Sequence, residues 1–379
     1  MKKILLATTA VVALSASAAQ AEINLDLGGF FKAYGGYADQ DTNNVRKFDI
    51  ARKSQIYFSG ETTLDNGLTV GAHTELFGEN NANTLAGAPT ADNSVEESYM
   101  YLSGNWGRVN VGRENGAAYL LQVSAPGADA NIDGQDIDFS FFNTRNNTAA
   151  GSAAAAVNVD QDYQHSGPNA DAQYSDKITY LTPKFNGFQA GATYTPSYQE
   201  KAIGQNMLGM SANNTAGLED LMEIGARFDG TMDGMGYMDG MGIHAGAGYS
   251  TASQKVSTAT NDDYQEWNAG LKFDINSFGF GGAYTTDNNG LDNNGDTDTY
   301  VLGADYTYGA TKFGYSYFNS QGETATTEDE LDRHTLGAVY TYGPGMDFNA
   351  SVALYDLDAA NNANDNEATV FAVGTDVQF

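Results

Sequence analysis

The stretch "ATVFAVGTDVQF" (residues 368–379) alternates strictly. Phe371, Val373, Thr375, Val377 and Phe379 share one parity and Ala372, Gly374, Asp376 and Gln378 the other, which predicts a strand with one oily and one polar face. The last residue is an aromatic on the oily face, at a position where most soluble domains fray into polar ends. The same grammar runs upstream. In "TDTYVLGADYTY" (297–308), Tyr300, Leu302, Ala304, Tyr306 and Tyr308 oppose Val301, Gly303, Asp305 and Thr307. A "YGAT" turn then leads to Phe313, Tyr315 and Tyr317, and the pair predicts a hairpin. "DRHTLGAVYTY" (332–342) and "MDFNASVALYD" (346–356) repeat the pattern. In "YQEWNAGLKFDI" (264–275), Trp267, Ala269, Leu271, Phe273 and Ile275 oppose Glu266, Asn268, Lys272 and Asp274. "GLTVGAHTELF" (67–77) sets Leu68, Val70, Ala72, Thr74 and Leu76 against His73 and Glu75.

Two classes of connection alternate between such strands. Short ones are "LDNG" (64–67), "GNWG" (104–107), "PKFNG" (183–187), "NSFG" (276–279), "YGAT" (308–311) and "YGPG" (342–345), with a looser Met/Gly stretch at 230–242. Long polar ones cover 38–47, 79–93, 115–175, 196–219, 251–263, 287–296, 319–331 and 357–367. One end of the sheet therefore carries turns and the other loops. Counting between them gives about sixteen strands, and an even number brings both chain ends to the turn side, so that 23–37 pairs with 368–379 and closes the sheet. Closure removes the unpaired backbone edge that hydrocarbon does not tolerate. The expected fold class is all-β, a closed antiparallel transmembrane barrel. A soluble sandwich is the competing architecture, but it does not explain an oily stripe on nearly every strand facing a polar one.

Composition agrees with an exported membrane barrel. Residues 1–21 carry Lys2 and Lys3, an apolar run and a small-residue end at Ala19-Gln20-Ala21, the pattern of a removable export signal. That run falls short of the ~20 residues a spanning helix requires, and the mean hydropathy of the chain is −0.40. The domain expected after cleavage is 22–379. There is no cysteine, so neither disulfides nor thiolate chemistry is available. Eighteen Lys and Arg stand against 48 Asp and Glu, a formal net charge of −30, which argues against nucleic acid as a partner and suggests cations, a need for colloidal repulsion, or a passage whose field prefers positive solutes.

With the stretches "FFKAYGGY", "IYFSGETTLDNGLTVGAHTELFGE", "YMYLSGNWGRVNVGRENGAAY" and "SDKITYLTPKFNGFQAGATYTPS" and the terminal Phe379, the chain resembles the general diffusion porins of Gram-negative outer membranes over essentially its whole mature length. The resemblance implies a sixteen-stranded barrel, a homotrimer, surroundings of outer-membrane lipid and lipopolysaccharide, a third loop folded into the pore, and a C-terminal aromatic, Phe379, read by the barrel-assembly machinery. It places the constriction in the 115–175 loop, whose "APGADANIDGQDIDFSFF" concentrates Asp129, Asp133, Asp136 and Asp138 beside Phe139, Phe141 and Phe142. These acids are the expected acidic side of an eyelet, and the phenylalanines the expected pins to the wall. A merely solvated acidic loop is the plainer alternative.

For the basic side, strand parity offers Lys32, Lys53, Lys177 and Arg227, with Arg52 on the wrong parity unless a bulge intervenes. Glu96 stands where the family more often has a base, which favours cations. Arg113 shares parity with Val109 and Val111 and is expected at a subunit boundary, because an unpaired charge in lipid is costly. No cofactor is called for. Calcium is the one ion the acidic loops suggest, but "DNNGLDNNGDTD" (287–298) lacks the terminal Glu of an EF-hand and reads better as a solvated turn. His73, His165, His244 and His334 show no ligand spacing, so no metal is expected, with His73 and His244 at lumen parity. A hydrolytic constellation would need His334 to meet Asp332 or Ser316, and no Gly-x-Ser-x-Gly occurs, so no enzyme activity is expected. The expected function is passive diffusion of ions and small hydrophilic solutes, weakly favouring cations. A substrate-specific channel, for sugars for example, is the alternative, with Tyr34, Tyr57 and Tyr355 at lumen parity but no evident continuous stair.

Overall fold

The computed structural model describes residues 23–42, 45–78, 95–144, 157–168, 170–197, 218–232, 240–255, 261–292, 295–323, 327–360 and 364–379. The export signal expected at 1–21 lies outside these residues. Sixteen strands appear in chain order. The first eight are β1 (Asn24–Gln40), β2 (Phe48–Thr63), β3 (Thr69–Phe77), β4 (Val95–Gly104), β5 (Gly107–Arg113), β6 (Asp176–Leu181), β7 (Phe188–Thr195) and β8 (Leu218–Met232). The second eight are β9 (Met241–Gln254), β10 (Tyr264–Ile275), β11 (Phe278–Asp287), β12 (Thr297–Tyr308), β13 (Thr311–Glu323), β14 (Glu328–Gly343), β15 (Met346–Asp358) and β16 (Asn366–Gln378). Two single-turn helices, α1 (Ala117–Leu120) and α2 (Ala170–Gln173), lie in the connection between β5 and β6. Among the described residues no helix is long and apolar enough to cross a membrane.

Each strand pairs antiparallel with its sequence neighbours, and β1 pairs with β16 from Phe30↔Gln378 to Gln40↔Ala368, so the sheet closes into a barrel. The terminal stretch is thus a seam. Phe379 completes it by accepting from the Gly29 amide at 2.9 Å and donating its own amide to the Gly29 carbonyl at 3.1 Å.

The outward parity is oily: Phe31, Ile56, Met100, Ile224, Leu271, Leu302, Leu336, Leu354, Phe371 and Val373 are all exposed. Such a surface is stable only against lipid, since no monomeric soluble protein leaves so continuous an apolar band open to water. Tyr308 and Tyr342 at the turn end, and Tyr194, Trp267 and Tyr284 nearer the loop end, border the band. There a ring with a polar tip meets both hydrocarbon and water. Leu336 is 62% exposed within β14. Leu336→Arg on this lipid-facing position is expected to destabilise the barrel, by up to ~4 kcal/mol, read from urea unfolding in liposomes.

Two expectations shift. Strands run further into the loop side than the loop boundaries suggested: β13 and β14 leave only 324–327 between them, and β9 continues through Gln254. A backbone ladder does not need an oily face once it has left the membrane. The inner face is also not uniformly polar. Val301, Phe318, Leu331, Ala353, Tyr355 and Val370 point inward and form a buried core with Phe142 and Tyr163 of the long connection. Water does not fill that half of the lumen, because the connection occupies it.

Candidate functional site

The described residues of the connection between β5 and β6 lie inside the barrel and pack against its wall. Their backbone lies flush against the wall because several inward wall positions are glycine. A Cβ at Gly225 would stand 2.4 Å from the Ala117 carbonyl oxygen, at Gly270 2.1 Å from that of Val123, and at Gly303 1.8 Å from that of Pro126. Gly303→Val is therefore expected to push the connection off the wall and raise single-channel conductance. An unchanged conductance would show that this segment does not narrow the channel.

Side chains then pin the connection. Phe142 stacks on Tyr355 at 4.4 Å and 8°, and Phe139 packs on Tyr34 at 5.0 Å. Asp129 accepts from the Tyr34 hydroxyl at 3.2 Å and from Ser351 at 3.0 Å. Asp133 accepts from Ser316 and, at 3.0 Å, from Arg333, whose guanidinium also donates to the Gln161 carbonyl at 2.7 Å and lies 4.3 Å from the Phe318 ring. Arg333 is 0% exposed. Burial pushes the Asp133 carboxyl up to about 6, with the Arg333 charge pulling it back. On the return leg His165, buried and held down to about 3, accepts from Asn268 at 2.8 Å and faces Ser250 at 2.9 Å.

Between the connection and the wall of β1–β4 lies a cavity of ≈ 380 Å³ lined by Phe30, Lys32, Lys53, Gln55, Glu75, Glu96, Glu97, Asn115, Tyr119, Ala130, Asp136, Asp138 and Tyr174. Asp138 bridges Lys32 at 2.6 Å and Lys53 at 2.5 Å. Gln55 donates to Glu75 at 3.1 Å and to Glu96. Five carboxylates thus stand beside two ammonium groups.

Of the expected site residues, the structure brings Asp136, Asp138, Glu96, Lys32 and Lys53 together. Asp129 and Asp133 do not face the opening: they are 1% and 6% exposed and serve the docking of the connection. Lys177 points inward as parity required but is 5% exposed, donating to the carbonyls of Glu114, of Ala172 at 3.1 Å and of Gln173 at 2.5 Å. It ties the two ends of the connection together. Arg227 lines a neighbouring cavity with His244 and Lys272 and is paired with Asp229 at 3.0 Å. Arg52 is exposed on the parity of Ile50 and Ile56, outside the barrel, and no bulge brings it in. Arg113 follows Val111 in parity, yet its guanidinium lies 5.9 Å from the ring of Tyr174 at the cavity, a contact within the chain. His334 bonds Tyr315 at 2.8 Å on the outer parity, whereas Ser316 is inside on Asp133.

Sequence reasoning missed Glu97 and Arg333. Consecutive strand residues face opposite ways, so Glu96 and Glu97 should not share a side. Here Thr74 pairs with Ser98 and Leu76 with Val95, so two residues of β4 oppose Glu75, and both glutamates reach the cavity. This is a β-bulge, and nothing in the local residues announces it. The bulge also brings Glu97 to His73 and Glu75, a group of possible metal ligands that spacing in the sequence did not reveal.

A sequence model of Gram-negative porins matches residues 7–360. Curated relatives include uncharacterized proteins of Rickettsia conorii, 23% identical over 52% of this chain and 48% of the relative, and of Rickettsia typhi, 23% identical over 55% and 50%. The chain spans about half the length of the curated relatives it matches. Among solved structures, an anion-selective porin from Comamonas acidovorans aligns with a TM-score of 0.63 at 20% identity, covering 94% of this chain and 100% of that one. OmpT of Vibrio cholerae, in its trimer form, aligns with a TM-score of 0.59 at 15% identity over 94% and 99%.

Proposed function

The chain belongs to the Gram-negative porin family, a multi-pass β-barrel channel of the outer membrane, and from that premise we propose that it passes small hydrophilic solutes and ions by diffusion, with cations favoured. The observation that carries the cation preference is the lining of the constriction: Glu75, Glu96, Glu97, Asp136 and Asp138 against Lys32 and Lys53. Carboxylate rings raise the local concentration of cations and repel anions. The similar fold from Comamonas acidovorans is described as anion-selective, so selectivity belongs to the side chains at the narrowing and not to the barrel. Among the described residues lining the neighbouring cavity, Arg227 and His244 are paired with Asp229 and Lys272 with Asp274. Reversal potentials across a KCl gradient in planar bilayers test the proposal; an anion-preferring potential would overturn it. Assembly as a homotrimer in lipid and lipopolysaccharide, after insertion by the barrel-assembly machinery, belongs to the same reading and is supported by the trimer form of OmpT.

One feature favours a substrate-specific channel as a second reading. On the inner wall Phe30, Tyr57, His73, Tyr99 and Tyr101 contact ring to ring across β1–β4 at 6.1, 6.0, 5.4 and 6.4 Å. Arg108 covers the end of the row, 3.9 Å from the Tyr101 ring. A row of ring faces with hydroxyl tips suits the flat apolar faces of sugars. Saturable block of ion current by a series of oligosaccharides, absent in Tyr57→Ala, distinguishes this reading from unspecific diffusion.

A further inference from the structure

We propose that His73, Glu75 and Glu97 form a binding site for a borderline divalent cation of the Zn²⁺ class in the wall of the channel beside the constriction. Their ligand atoms all lie within 4.8 Å of one another, with His73 Nε2 2.9 Å from Glu75 Oε1. A tetrahedral ion with bonds of ~2.1 Å spreads its ligands ~3.4 Å apart, so small rotations of half-buried side chains complete the set. The chemistry of the donors selects the ion: imidazole nitrogen suits Zn²⁺ and its neighbours, whereas Ca²⁺ and Mg²⁺ demand oxygen alone.

The shell around these donors is built as a metal shell is. In the metal-free chain His73 Nε2 donates to Glu75 and Ser59 Oγ lies 2.7 Å from Nδ1; with the ion bound, the ring proton would move to Nδ1, donate to the Ser59 hydroxyl and leave the Nε2 lone pair to the metal. Gln55 donates to the far oxygen of Glu75 at 3.1 Å, and Asn115 donates to Glu97 at 2.8 Å. Asn115 supplies an independent sign. Only 9% exposed and lining the same cavity, it leaves its Oδ1 with no partner. A buried amide oxygen without a donor costs ~1–3 kcal/mol, which a cation, or the water it carries into the fourth position, would relieve. Electrostatics points the same way, since three further carboxylates, Glu96, Asp136 and Asp138, line the adjoining cavity with only Lys32 and Lys53 to balance them.

The test uses the full-length protein purified in detergent, stripped with a chelator and titrated with ZnCl₂, the bound metal being counted after gel filtration. Binding is read without conduction, so its failure and a failure of the permeation reading are separate results. One zinc per chain is expected, retained in millimolar CaCl₂, abolished in His73→Ala and weakened ~10-fold in Ser59→Ala, which touches no metal. Should His73→Ala not fold to the heat-resistant barrel, His73→Gln replaces it, keeping a hydrogen bond to Glu75 without the imidazole. Undiminished zinc binding in the His73 variant would place the ion on the acidic loops and overturn the proposal. Displacement by calcium, or no binding in the parent protein, would overturn it equally.

Discussion

Asp136→Asn combined with Asp138→Asn is expected to lower the cation-to-anion permeability ratio roughly eightfold at ~0.1 M salt. The five carboxylates and two ammonium groups of the constriction give a formal charge of 2 − 5 = −3, and the double substitution leaves 2 − 3 = −1 while freeing Lys32 and Lys53 from Asp138. A unit charge ~7 Å from a permeating ion acts on it by ~0.6 kcal/mol in water and by roughly half that after screening. Two such charges, acting oppositely on cation and anion, give the expected ratio. The effect should shrink as salt rises. Because burial raises Asp136 above the ordinary carboxylate range, acidification should mimic the substitution from a higher pH than free aspartate would allow. Asp129→Asn and Asp133→Asn should leave the reversal potential unchanged, since neither carboxylate faces the opening. A potential that moves with the buried pair and not with Asp136 and Asp138 would reverse this assignment.

Arg333→Met is expected to have the largest effect on stability. It leaves Asp133, 2% exposed at the side chain, without its cation, and removing one member of a buried pair costs ~3–5 kcal/mol. The docked connection also loses the Gln161 carbonyl contact, so steady channel current should give way to flicker. The pH dependence has a definite sign. Asp133 in the folded chain titrates at about 6, above the ordinary 3.8, so the fold favours the protonated acid, and this group adds stability as pH falls through about 6 and withdraws it as pH rises. Without Arg333 that preference grows. Flicker in Arg333→Met should therefore subside between pH 8 and pH 5, and adding Asp133→Asn should suppress it at both. A double variant no more stable than Arg333→Met alone would show that the pair is not coupled.

The barrel was legible in the residues because its cause is local. Period-two alternation, the Tyr-bordered oily band and the turn residues at 64–67, 276–279 and 308–311 each act within one hairpin, and sixteen repeats leave closure of 368–379 on β1 as the means of satisfying the last edge. The resemblance pointed to the 115–175 connection, and strand parity pointed to Lys32 and Lys53, which line one cavity with Asp136 and Asp138 of that connection.

Which acids face the opening was decided only by tertiary structure. Asp129, Asp133, Asp136 and Asp138 are alike in sequence, but the first two meet Ser351, Ser316 and Arg333 from strands 183 to 222 residues away while the last two line the cavity. Lys177, at the same parity as Lys53, is consumed by carbonyls of the connection that covers it. Glu97 enters the site through a one-residue bulge that strand periodicity cannot express. Alternation determines which face a side chain takes. What it meets there depends on a connection whose path is set by contacts distant in sequence, and that is the physical reason the cylinder was readable and the lining of its lumen was not.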